Sequence, residues 1–192
     1  MKRKTFDSIL TIVGAGLTIF FIVAGSLGLW AYSFANSTVH NQLAQQQIIF
    51  PSASAFAHAT PGGEITPDMI PVVSHYAGQQ LTTGKQAEAY ADHFIAVPLQ
   101  EIGGGESSAQ LSAEAMALPK GSPAYTAAEA KVQMVFQGTT LRGLLLEAYA
   151  FWKMGQIAPF AAIACFALAV VMLLFTILGF IHLRRTSEDA EI

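Results

Sequence analysis

The side chains with which this sequence could do acid–base or metal chemistry are five histidines: His40, His58, His75, His93 and His182. A helical zinc site needs two histidines at i and i+4, and none of the five is so spaced. A facial iron centre needs two histidines and a carboxylate converging on one point. Asp92-His93 is the one adjacent acid–histidine pair, and consecutive residues of a helix point about 100° apart. His75 and His93 meet only if a tertiary contact joins them. Glu88 and Asp92 lie one turn apart, a spacing that suits paired general acid–base work and equally a solvated helix face. Ser107 and Ser108 follow a glycine run but lack the G-x-S-x-G elbow of a nucleophile, and GGGESS lacks the lysine of a phosphate loop. The single cysteine, Cys165, lies deep in an apolar run and forms no intrachain disulfide. The sequence therefore assigns no catalytic, cofactor-binding or metal residue, and the chain reads as non-enzymatic.

Composition shows where these residues must be positioned. Of 192 residues, 53% are hydrophobic and 12% charged, with net charge −3; charged residues are about 25% of an average soluble protein. No basic stripe exists to gather phosphates, so nucleic acid is excluded as a partner. Residues 8–35 and 154–183 are free of Asp, Glu, Lys and Arg. About twenty apolar residues cross a bilayer core, and only a helix satisfies its own backbone there. The reading is an all-α membrane protein: a basic tail (1–7), a first transmembrane helix (8–35), an extracytoplasmic helical domain (36–155), a second transmembrane helix (156–183) and a tail (184–192). Lys2, Arg3 and Lys4 at one end and Arg184 and Arg185 at the other place both termini in the cytoplasm. Five Lys or Arg against nine Asp or Glu between the spans suit a translocated segment. Trp30 and Tyr32, with Tyr149 and Trp152, mark the outer membrane face. A cleavable signal peptide ending near Ser33-Phe34-Ala35 is the rival reading, although its apolar run exceeds the usual 7–15 or so residues.

Small residues let helices approach closely in lipid. Gly14, Thr18, Gly25 and Gly28 form such a stripe on the first span, and Ala158, Ala162, Cys165 and Ala169 on the second. They predict an intramolecular hairpin, with a groove for a partner helix or lipid as the alternative. The middle of each span carries no ionisable residue, which argues against channels and transporters.

Between the spans, residues 37–50 lack Gly and Pro and extend the first helix towards Pro51. The stretch 51–67 is a Pro- and Gly-rich loop, and a short helix follows Thr66-Pro67 to about Tyr76. Thr83 with Gln86 and Ser107 with Gln110 have capping-box spacing. The first opens a helix with Ala87, Tyr90, Ala91, Phe94, Ile95 and Ile102 on one face, kinked or ended by Pro98. Ser122-Pro123 starts another, which Gly138 stops. Thr139 or Thr140 opens the last outer helix, with Leu141, Leu144, Leu145, Ala148 and Trp152 inward and a bend at Gly155 and Pro159. Tyr90, Phe94, Leu141, Leu144 and Leu145 are the expected outer-domain core. Gln45–Gln47, Gln79, Gln80, Tyr76, Tyr90 and Tyr149 suit contact with a protein surface or a lipid head group.

The start MKRKTFD, the segment YAGQQLTTGKQAEAYADHFIAVPLQEI and the stretch TLRGLLLEAYAFWKMGQIA, followed by a span ending HLRR, resemble a family of small actinobacterial two-span membrane proteins. The resemblance covers most of the chain outside 51–67 and 103–123. Some members carry the label aromatic ring-opening dioxygenase, small subunit, which these residues do not support. The resemblance implies a source and a topology and no activity. The expected function is an accessory or interaction subunit of the plasma membrane, its outer domain touching another membrane or envelope protein. An extracytoplasmic lipid- or small-ligand-binding module is the alternative, and a metal-dependent dioxygenase-like enzyme the third reading.

Overall fold

The computed structural model describes residues 3–61, 63 and 65–185, and these residues contain helices and no β-strand. In chain order they are α1 (Arg3–Gln45), α2 (Ala53–Phe56), a 3-10 turn (Pro67–Met69), α3 (Ile70–Val73), a second 3-10 turn (Ser74–Tyr76), α4 (Gly84–Tyr90), a π turn (Ala91–Ile95), α5 (Ala96–Gly103), α6 (Ser108–Met116) and α7 (Pro123–Arg185). Helices α1 and α7 are both long and apolar enough to cross a membrane. The chain forms two compact units, one of Met1–Ala35 with Met154–Ile192 and one of Asn36–Lys153.

In the first unit the two helices lie antiparallel. Thr11 faces Gly179, Gly14 faces Thr176, Gly25 faces the Phe166 ring, Gly28 faces Ala162 and Ala158, and Ala35 faces Gly155. Thr11, Thr18 and Gly25 are buried on α1, as are Gly155, Ala162, Ala169 and Thr176 on α7, at steps of seven residues. Seven-residue recurrence keeps one seam facing the partner helix in a left-handed supercoil. Ala158 and Cys165 are half-buried on the same side of α7. The buried hydroxyls are satisfied locally: Thr11, Thr18 and Thr176 donate to the carbonyls of Asp7, Gly14 and Met172 at 2.7–2.9 Å. The outward residues, among them Leu10, Ile19, Phe20, Leu27, Phe160, Ile163 and Phe175, are large and apolar.

The second unit is organised around Phe50. Helix α1 ends at Gln45, short of Pro51, because Gln47 takes a left-handed conformation (φ 54°). The extended chain that follows pairs with residues 78–81: Phe50 N–H donates to Gln79 O at 2.9 Å and Leu81 N–H to Ile48 O at 2.8 Å. Gln80 Nε2 donates to Ala44 O at 2.8 Å, serving one of the carbonyls that a helix end leaves without a partner. Phe50 thereby joins a core with Val39, Leu43, Leu81, Ala87, Ala91, Ile95 and Leu145, and a smaller cluster gathers Phe56, Met69, Val73 and Ala89. The expected capping boxes at Thr83 and Ser107 are present. Tyr125 N–H donates to Ser122 Oγ at 3.1 Å. Gln86 does more than cap: its buried Oε1 accepts from both Thr82 N–H and Thr83 N–H.

Several expectations are corrected here. Gly138 does not stop a helix and none restarts at Thr139 or Thr140; α7 is continuous, with Pro159 inside it. Gly138 instead packs against Leu99: a Cβ there would lie 2.5 Å from Leu99 Cδ2, so that side chain would have to turn aside. The inward line of α7 is Val135, Gly138, Arg142, Leu145, Tyr149 and Trp152, alternating three- and four-residue steps. Leu145 is buried on it. Leu141 and Leu144 sit one residue off that line and are 38% and 58% exposed, because one position turns a helix about 100°. They are not core residues. Tyr90 and Phe94 are half-buried against the core. Ile102 is exposed, because the π turn shifts the helical register of everything after it.

Candidate functional site

The π turn is where sequence and structure together concentrate polar chemistry. Pro98 has no N–H, so the Phe94 carbonyl four residues earlier loses its helical donor. The chain widens at that point, and Ala96 N–H reaches back five residues to Ala91 O. Such one-turn widenings recur at functional sites. This one carries Asp92 and His93 to the edge of a hollow of about 290 Å³.

The hollow is lined by Lys85 and Glu88 of α4, Asp92 and His93 of the π turn, and His75 and Tyr76 of the second 3-10 turn. The two histidines therefore share a site that their sequence separation conceals. His75 packs on Tyr76 with ring centroids 3.8 Å apart. Both carboxylates are engaged by α7. Arg142 Nη2 donates to Asp92 Oδ1 at 2.8 Å, and the Tyr149 hydroxyl hydrogen-bonds Glu88. That bond, then partial burial, raises the Tyr149 hydroxyl above the usual phenol value. Burial, then the charge of Glu88, does the same for Tyr76. Both phenols therefore stay protonated, and as donors, throughout the neutral range. Glu88 and Asp92, an acid–base pair by spacing, act as anchors for α7. The Asp92–Arg142 pair is about 40% exposed on each side, where an ion pair contributes roughly 0–1 kcal/mol.

No three His, Cys, Asp or Glu side chains among the described residues are grouped so as to hold a metal ion. Ser107 is occupied as a helix cap. His58 Nδ1 lies 2.7 Å from Ser54 O. His40 borders a separate hollow of about 340 Å³ with Asn36, Asn41, Thr82, Thr83 and Trp152. Gln45–Gln47, Gln79 and Gln80 are exposed, as expected, and two of them also tie the unit together: Gln79 Oε1 accepts from Gln86 Nε2 at 3.2 Å, and Gln80 holds the end of α1.

The feature that sequence reasoning missed is the outward face of α7. Met134, Leu141 and Leu144, spaced by seven and three residues, are 52%, 38% and 58% exposed. Their spacing was legible, and the side on which it falls was not. Compared with protein-family models, with curated proteins and with solved structures, the chain finds no match.

Proposed function

We propose that the protein is an integral membrane subunit that docks another membrane or envelope protein through the outward face of α7 in the Asn36–Lys153 unit. In this reading the two uncharged runs span the plasma membrane, both termini are cytoplasmic and residues 36–155 lie outside, following the basic flanks. The observation that carries it is the exposure of Met134, Leu141 and Leu144 on one side of one helix. Single exposed apolar residues need no explanation, whereas several on one side of one helix are a candidate interaction surface. A ligand-binding role for the outer unit is less well supported. The π-turn hollow presents Lys85, Glu88, Asp92 and two histidines, a poor lining for an apolar molecule.

Leu141→Glu combined with Leu144→Glu tests the docking face. In mild detergent the native chain is expected to migrate as a larger assembly containing a second protein, and the double variant as a single chain. Its thermal melt should be nearly unchanged, because exposed substitutions usually stay within about 0.5 kcal/mol. A native protein that runs alone in several mild detergents would refute the docking role.

A further inference from the structure

Where α1 begins and α7 ends, the helix pair of the first unit borders an open hollow of about 520 Å³. Its floor is formed by Thr11 and Gly179 and by Gly14 and Thr176, which meet across the seam. The hydroxyls of both threonines donate to carbonyls of their own helices, so the floor offers no spare donor. Leu10, Val13 and Leu17 of α1 and Met172, Phe175 and Leu178 of α7 form apolar walls. One end is different. Asp7 Oδ2 is buried there and accepts no hydrogen bond, with His182 Nε2 3.4 Å away. Arg184 and Arg185, both exposed, follow in the last turn of α7.

A buried carboxylate oxygen that has only an ion-pair neighbour at 3.4 Å and accepts no hydrogen bond is under-satisfied. The hollow therefore calls for an occupant with a long apolar part, a hydrogen-bond donor at one end and an anionic group beside it. We propose that it seats one acyl chain of a glycerophospholipid whose primary ammonium head group donates to Asp7 and whose phosphate lies beside Arg185. An ammonium group brings three donors, and arginine suits phosphate. A partner helix fits worse. From Asp7 to Leu17 is roughly 15 Å at 1.5 Å per residue, over which a helix about 10 Å wide would need roughly 1,200 Å³, more than twice the hollow. The inference rests on the reading that both long helices span the bilayer.

The test compares phosphatidylethanolamine with phosphatidylcholine, whose trimethylated nitrogen has no N–H to donate. The full chain is reconstituted in equimolar mixed nanodiscs and released for native mass spectrometry. The native protein should retain one phosphatidylethanolamine, favoured on the order of tenfold, the effect of about one charged hydrogen bond. Asp7→Asn should bring the ratio close to one, and Val13→Trp, which fills the hollow, should remove both lipids. Equal retention of the two lipids by the native chain overturns the proposal without recourse to any variant, as does a bound protein segment in place of lipid. Alkaline carbonate extraction separates the two readings. A chain that stays in the membrane but shows no preference removes this proposal alone, and a chain released into solution removes the spanning reading as well.

Discussion

Phe50→Ala is expected to loosen the whole Asn36–Lys153 unit. Phe50 is 2% exposed and its ring lies 5.2 Å from Tyr76, 5.5 Å from Tyr90 and 6.0 Å from Phe94, centroid to centroid. Truncating a buried Phe to Ala costs about 3–5 kcal/mol once the cavity is counted, against roughly 5–15 kcal/mol for an entire domain. The melting temperature should fall by roughly 10–20 °C, and proteolysis near Gly103–Gly105 should accelerate. Phe94→Ala should do the same more weakly, since Phe94 is only half-buried. Asp92→Ala removes an exposed ion pair with Arg142 and should shift stability by about 1 kcal/mol or less. Circular dichroism melts of the three variants check the order. An Asp92→Ala more damaging than Phe50→Ala would mean that the unit is held by its polar edge.

The second large effect is expected in the helix pair. A Cβ on Gly155 would stand 2.6 Å from Ala35 Cβ, and neither atom belongs to a flexible side chain that could swing away. Gly155→Ala must therefore push the two helices apart, and overpacking of this kind costs about 1–3 kcal/mol. Gly16 is the control: nothing lies within 4 Å of its added Cβ. Gly16→Ala should be neutral or stabilising, by up to about 1 kcal/mol from helix propensity. The same Gly→Ala change is predicted to destabilise at one site and not at the other, within one unit. Thermal unfolding in detergent, followed by loss of a disulfide-trappable cysteine pair across the seam, reads the difference. Equal effects at the two sites would show that the seam runs elsewhere.

How much of this was legible in the sequence depends on how local each cause is. The two apolar helices follow from long runs without charge, and Thr83, Ser107 and Ser122 announce helix starts because a cap involves only three or four neighbouring residues. The seam of small residues was legible for the same reason: Gly14, Gly25, Gly28, Ala162 and Ala169 recur at helical spacing. Phe50 was not, because its burial depends on Gln47 turning the chain out of the helix and on pairing with Gln79 and Leu81, some thirty residues away. His75 and His93 share a hollow only through the packing of the second 3-10 turn on the π turn. Rotation along α7 was misjudged at Gly138. Read as a stop, this glycine allowed the next helix any phase; as part of one continuous helix it fixes Leu145 inward and turns Leu141 and Leu144 out. That rotation is what puts Leu141 and Leu144 on the exposed side of α7 with Met134.

The functional reading requires that the Asn36–Lys153 unit lie outside the cell and both ends of the chain inside. Single cysteines at Ser107 and at Ser187, each in a Cys165→Ala background, test this with a membrane-impermeant thiol reagent on intact cells. The account predicts that position 107 is labelled and that position 187 is labelled only after lysis. Labelling of both positions in intact cells, or of position 187 alone, would contradict it.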